Sequence, residues 1–438
     1  MRSAHVVPSG YLNGDPVAAA VTTSRLPGFH EHDREGRRKR LVDEAGVDPE
    51  TLEALDRAPE DAVLEEMSEN VLGRLTLPIG VATNVVVDGD DVLVPMATEE
   101  SSVVAAASHA AKTARPHGGF QAEGGRPEMV AQVHLVDVDV DEAQATVEDH
   151  ADELVAGLRD PEGSMEKRGG GPRELSTHRH DLPEGDSALS VHLVADVRDA
   201  MGANYVNELA ERLAPRLEDL TGGRALLRIL SNLARRRVVR VEATFDREEL
   251  GGRDVVEDIV TANRIARADT CRAATHNKGV MNGITAVMLA TGNDTRAQEA
   301  GAHAWAAREG RYQALTRYEV TEEGHLHGRL EVPVQAGVVG GATSSLPSAQ
   351  AALELMGEPS GPELARIAAS VGMAQNVAAL RALVAEGIQE GHMRLHAANL
   401  ARQAGVGSDQ IDDVAERMVE ADDVSASAAR RFAEDLEG

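Results

Sequence analysis

Apolar positions along this chain follow two rhythms, one of helical period and one of strand period, and their order outlines a fold. Residues 1–23 show neither, being interrupted by Pro8, Gly10, Gly14 and Pro16, and are expected to be a flexible tail. Beyond Leu26-Pro27-Gly28-Phe29, helical spacing is expected over Arg34–Ala45, 48–58 and 62–69. Ile79–Val87 is apolar and β-branched, Asp88-Gly89-Asp90 reads as a turn, and 92–95 completes a hairpin. The small-residue run Val103–Ala114 predicts a helix, with Glu99, Glu100, Ser101 and Ser102 placed to cap its start.

The rhythm changes near residue 126. Strand spacing over 129–140 gives way to a helix over 142–157, a turn at Gly169-Gly170-Gly171, a strand over 188–197, a helix over 204–213 and strands over 225–230 and Val238–Phe245. This alternation predicts a ferredoxin-like α+β unit inserted into a larger α/β domain. A Rossmann fold is not expected, because no Gly-x-Gly-x-x-Gly follows a strand. Further on, a helix is expected over 297–308, a strand over 324–334 and a glycine-dense turn over 336–343. Helices follow over 349–356, 362–371 and 377–386, with Pro362 suited to a first helical turn. The remainder, from about Gly387, reads as a charged helical unit hinged at Gly387 and Gly391.

Charge sharpens the picture. The 438 residues carry 73 acidic against 44 basic side chains, a net −29 spread along the whole length, with only 2% aromatics. Such dispersed acidity reads as a solvated, salt-adapted (halophilic) surface and disfavours nucleic acid and anionic membranes as partners. The single cysteine, Cys271, excludes an internal disulfide and a multi-cysteine metal site. No run approaches the length of a membrane span and no apolar signal core opens the chain, so a soluble cytoplasmic protein is expected.

The densest candidate chemistry lies in 269–294, where Asp269, Arg272, His276, Asn277, Lys278, Asn282, Asn293 and Asp294 surround a mostly apolar run. Its bland reading is a core helix with solvated ends. Lys278 and Asp294 are sixteen positions apart, about 24 Å of rise in one unbroken helix. A shared site would require the chain to break or fold back, which Gly279, Gly283 and Gly292 would permit.

Together with Glu69-Asn70-Val71-Leu72-Gly73, Pro95-Met96-Ala97-Thr98-Glu99-Glu100, Asp199-Ala200-Met201-Gly202-Ala203-Asn204 and Gly391-His392-Met393, this stretch resembles the class II 3-hydroxy-3-methylglutaryl-CoA (HMG-CoA) reductases. The resemblance runs from about Ser24 to about Ala401 with the motifs in the family's order. It implies a large α/β domain over 24–125 and 232–386, an inserted cofactor domain over 126–231 and a mobile flap over 387–438. It also implies interconversion of HMG-CoA and mevalonate plus CoA by two hydride transfers, in a homodimer or higher oligomer with sites at the subunit interface.

By that resemblance Lys278 would stabilise the oxyanion. Glu100 would donate the proton to the alkoxide, with Asp294 between the two raising its hold on that proton. Glu99 is the alternative, as a solvated first-turn carboxylate; its place after Pro95-Met96 favours Glu100. His392 would protonate the CoA thiolate. His396, four residues on, suggests a zinc pair, but no third ligand is evident and the family uses no metal. Ser102, Arg272 and Asn282 would contact substrate, Arg272 through its carboxylate. Asp199, Met201, Gly202, Asn204 and Asn232 would bind the dinucleotide. Glu162 falls where an acidic residue favours NAD(H) over NADP(H); Lys167 and Arg168 could instead take the extra phosphate. An inactive CoA-binding homologue and an unrelated acyl-CoA enzyme such as a thioesterase are the rival readings.

Overall fold

The computed structural model describes residues 21–437 apart from 184, 386–396, 399, 408, 409 and 422. The hairpin of β1 (Ile79–Val87) and β2 (Asp90–Ala97) turns on Asp88 and Gly89, whose φ values of 54° and 97° suit a two-residue turn. Helix α1 (Val103–Ala114) leads to β3 (Phe120–Gly124), which lies parallel to β1. A second sheet follows. It comprises β4 (Glu128–Val136), helix α2 (Val140–Asp149), β5 (Gly171–Asp181), β6 (Ser187–Asp196), helix α3 (Ala203–Thr221) and β7 (Arg224–Leu230). Its strand order is β5-β6-β4-β7, all antiparallel, which is the ferredoxin-like arrangement. Val206, Leu209, Leu213 and Leu217 of α3 meet Val133, Leu135, Leu189 and Leu193 in a core of their own.

The chain then returns to the first sheet through β8 (Val238–Phe245). Helices α4 (Arg253–Ala268), α5 (Thr270–Ala290) and α6 (Thr295–Ala306) precede β9 (Thr316–Val320) and β10 (Leu326–Pro333). The six-stranded order is β2-β1-β3-β8-β10-β9. Helix α7 (Gly361–Ala385) crosses α5 in the middle of the larger core. Beyond it, helices Ile411–Glu420 and Ala426–Glu437 share a separate small core with Ala397, Ala398 and Ala401.

Several expectations change. Gly279 and Gly283 do not break α5, which runs unbroken from Thr270 to Ala290. Gly283 instead permits a close helix crossing: a Cβ there would sit 2.6 Å from the Val371 carbonyl oxygen, and one on Gly372 would sit 2.7 Å from Ile284. The helices expected over 362–371 and 377–386 are likewise one, since the linking Gly372, Met373, Ala374, Gln375 and Asn376 are buried along the same axis. Helix α7 is long and apolar enough to cross a membrane, yet two-thirds of its apolar window is buried in this core. The helix expected over 142–157 divides at His150, whose ring bonds back to the Thr146 carbonyl at 2.8 Å. Strands β3, β5 and β9 and helix α4 had no counterpart in the sequence reading.

Candidate active site

Helix α5 is polar on both sides for different reasons. Its inner side carries His276 and Asn277, buried although polar and hydrogen-bonded to the segment 313–316. His276 Nε2 meets Thr316 Oγ1 at 2.6 Å, and Asn277 spans the Gln313 carbonyl (2.8 Å) and the Leu315 amide (2.9 Å). Asn376 of α7 donates to the His276 carbonyl at 3.0 Å and accepts from the Tyr318 hydroxyl at 2.9 Å. Burial pushes the His276 imidazole down to about 3, with the Arg272 charge adding to the effect. This imidazole is neutral and structural.

The next residue but one faces out. Lys278 Nζ lies 2.6 Å from Glu100 Oε2, and both side chains remain open to solvent, 59% and 43% exposed. Glu100 sits in the short connection from β2 to α1, where its amide donates to Thr98 Oγ1 at 3.1 Å. Ser102 directly precedes α1, at the capping position, but does not cap it: its φ is 74° and its hydroxyl makes no capping bond. A serine in that left-handed region costs on the order of 1–3 kcal/mol, so the connection is held in a strained shape beside Lys278. Asn282 follows Lys278 by one turn on the same side of α5. Arg272 is half-buried, with no carboxylate in ion-pair distance among the described residues.

Asp294 belongs to a second group. Its carboxylate accepts from the Arg296 and Ala297 amides at 3.0 Å each, starting α6, and lies 3.5 Å from Arg296 Nε. Twelve residues of unbroken helix separate Lys278 from Ala290, about 18 Å of rise. The chain does fold back at Gly292 (φ 68°), but at the far end of α5, and the two side chains make no contact within one chain. Beside Asp294, Asn293 Oδ1 accepts from the Gly337 amide at 2.8 Å. Gly337 in turn approaches the Met201 backbone so closely that a Cβ would sit 2.4 Å from its nitrogen.

The Asp199–Asn204 loop is thereby locked to the larger sheet. Asp199 Oδ1 accepts from the Gly361 amide at 2.9 Å and its carbonyl from Val338 at 2.8 Å. Gly202 (φ 93°) opens α3 and packs on Val197, and no side chain caps the first-turn amides that follow it. Free amides at a positive helix end suit a pyrophosphate, so these residues fit a dinucleotide. Asn232 is exposed; its carbonyl accepts from Gln335 at 2.8 Å.

Sequence reasoning missed Arg237. It is wholly buried, donates to the Met201 carbonyl at 3.1 Å and the Ala336 carbonyl at 2.6 Å, and burial pulls its guanidinium down to about 10. In Arg235-Arg236-Arg237 nothing but its position directly before an apolar strand separates it from the exposed Arg235 and the half-buried Arg236.

Glu162 is exposed and paired with Lys167 at 3.0 Å. His392 and His396 lie outside the described residues, as do Gly387 and Gly391. A cleft of about 330 Å³ lined by Arg240, Arg267, Arg308, Arg317 and Arg329 contains none of the expected site residues.

The profile of the family described as hydroxymethylglutaryl-coenzyme A reductase matches residues 33–397. The 3-hydroxy-3-methylglutaryl-coenzyme A reductase of Archaeoglobus fulgidus is 46% identical over 94% of this chain and 95% of its own. The probable reductase of Borreliella burgdorferi is 38% identical over 76% and 77%. Among solved structures, the Streptococcus pneumoniae reductase superposes with a TM-score of 0.80 at 38% identity, covering 94% of this chain and 99% of that one. The class II enzyme from the same organism bound to NADPH in open conformations gives 0.79 at 39%, covering 82% and 99%. The chain belongs to the hydroxymethylglutaryl-coenzyme A reductase family, in its class II branch.

Proposed function

We propose that this protein interconverts HMG-CoA and mevalonate plus CoA. The observation that carries the reading is the Lys278–Glu100 pair at 2.6 Å, solvent-facing on a helix anchored by a buried polar network. A cation and a carboxylic acid in contact are what the reduction of a thioester to an alcohol calls for. Lys278 stabilises the oxyanion formed at each reduction, and Glu100 delivers the proton that the alkoxide needs. A nicotinamide cofactor supplies the hydride at each of the two steps. Ser102, Asn282 and Arg272 orient the acyl group, and His392 protonates the departing thiolate. The inserted unit over 126–231 serves the cofactor, whose pyrophosphate fits the uncapped start of α3, and the segment beyond Gly387 acts as the flap.

Asp294 completes the site from the other subunit of a homodimer, because it stands with the cofactor loop and far along α5 from Lys278 of its own chain. Exposure supports a partner. The Glu69-Asn70-Val71-Leu72-Gly73 segment leaves Leu72 and nearby Leu75 bare, at 103% and 86%.

Initial rates with HMG-CoA, NADH and NADPH in parallel, at low and molar salt, test these points together. Oxidation of either cofactor with release of CoA thiol supports the reading, and thiol release without any cofactor would favour a thioesterase. No turnover would favour an inactive CoA-binding homologue. Preference for NADH supports Glu162 as the ribose contact, its partner Lys167 being already engaged. Preference for NADPH, the cofactor bound in the Streptococcus structure, assigns Lys167 or Arg168 to the extra phosphate. Activity retained in molar salt supports the halophilic reading of the −29 charge.

A further inference from the structure

Two imidazoles and a carboxylate meet beyond the end of α1 that lies away from Glu100. His117 ends a short helical turn after α1, Asp246 directly follows β8, and His325 directly precedes β10. Helix α1 begins three residues after Glu100 and ends three residues before His117. Its twelve residues, about 18 Å of rise, separate the cluster from the Glu100 connection, and Phe120 facing Ala243 and Phe245 facing Leu326 bring Asp246 and His325 level with His117.

The spacing is informative. Asp246 Oδ2 lies 3.4 Å from His117 Nε2 and 3.6 Å from His325 Nδ1, and all three ligand atoms fall within 4.8 Å of one another. Charge-assisted hydrogen bonds of this kind settle at about 2.7–2.9 Å. Ligands about 2.0–2.1 Å from a shared tetrahedral ion sit roughly 3.3 Å apart, which is close to what is seen. The carboxylate is also pre-aimed: Oδ1 is occupied by the Glu248 and Glu249 amides at 2.9 and 3.1 Å, leaving Oδ2 for a further partner.

Nearby cations do not compete for it. Lys112 is paired with Glu249 at 2.9 Å, and Arg247 with Glu248 at 2.8 Å and the Glu323 carbonyl at 3.2 Å. Among the described residues the Arg247 amide also reaches His325 Nδ1, at 3.2 Å. It is a first-turn amide with no acceptor inside its helix, and water can satisfy it once an ion takes the imidazole nitrogen. The three side chains are 20–26% exposed, open enough for an ion to enter and keep water in its shell.

We propose that His117, Asp246 and His325 bind one first-row divalent cation of the zinc type, with water completing its coordination. So far from Lys278, the ion pins the ends of β3, β8 and β10 and takes no part in the reaction.

The test titrates the dialysed full-length chain with Zn²⁺ by calorimetry and follows thermal unfolding and reductase rate. The expected result is one equivalent bound in the micromolar range or tighter, and a thermal midpoint raised by a few degrees. His117→Ala and His325→Ala each weaken binding roughly tenfold or more, and none of the variants changes the reductase rate. Asp246→Asn keeps an oxygen for the helix amides and shows the same loss, so weakened binding there is not a folding defect. Absence of saturable binding overturns the proposal. So does unchanged binding in the His117→Ala/His325→Ala double variant, which would place the ion elsewhere, for instance at His178 and His192, whose tilted rings have centroids 4.2 Å apart.

Discussion

Replacing Arg237 by methionine separates two things that a buried guanidinium does. Its charge-assisted bonds to the Met201 and Ala336 carbonyls, at 3.1 and 2.6 Å, contribute about 1.5–3 kcal/mol each. Against this stands the cost of burying the charge. Burial pulls the guanidinium down to about 10, a fall that corresponds to roughly 3 kcal/mol at neutral pH. The terms largely offset, so methionine of similar length is expected to cost at most about 3 kcal/mol of stability. The positional effect has no such offset, because two carbonyls on opposite sides of the joint lose the group that sets their spacing. The KM for the nicotinamide cofactor is expected to rise about tenfold, equivalent to about 1.4 kcal/mol, while the KM for HMG-CoA stays within a factor of about two. Arg237→Lys, which reaches one carbonyl at a time, should fall between. Thermal melts and initial rates with each substrate varied in turn measure both effects. Equal changes in the two KM values, or none in a folded Arg237→Met protein, would refute the reasoning.

Lys278→Ala is expected to abolish both reductions without unfolding the chain, since an exposed ion pair contributes about 1 kcal/mol or less; retained turnover would remove Lys278 from its role. Gly283→Val should unfold or strongly destabilise the protein, by several kcal/mol, since even a Cβ there meets the Val371 carbonyl; an unchanged melting temperature would count against so tight a crossing. Acid should destabilise through His276 and His192, which burial pushes down to about 3 and about 4. Their native forms refuse a proton that the unfolded chain accepts, so stability is lost as pH falls below 6.5. Each adds a slope of about 1.4 kcal/mol per pH unit until its folded value is reached. His276→Gln should flatten that slope in a pH series of melts, and an unaltered slope would show His276 to be uninvolved.

What the sequence disclosed depended on what it had to encode. The β1–β2 hairpin was legible because Asp88-Gly89 punctuates two apolar runs, and α1 because small residues repeat without interruption. Two of the four edge strands were not. In β5 the exposed Arg173, Glu174 and Arg179 and a half-buried polar run leave no alternation to read, and β9 alternates over only five residues. Gly279 and Gly283 misled because a glycine that permits a bend and one that permits a crossing look alike in one dimension. The Lys278–Glu100 contact, joining residues 178 positions apart, was reached through motif order and not through spacing. Arg237 stayed hidden because burial is a property of the fold and not of an arginine triplet.

The bare leucines 72 and 75 bear on how the protein comes into being. If the proposed homodimer forms, a newly made chain that has finished its own folding still holds apolar surface that water penalises, and its proposed catalytic groups stand at two ends of α5. Maturation on this view is second order. The delay between synthesis and activity shortens as copies become more numerous, and a dilute cell extract would go silent before any bond within a subunit is lost.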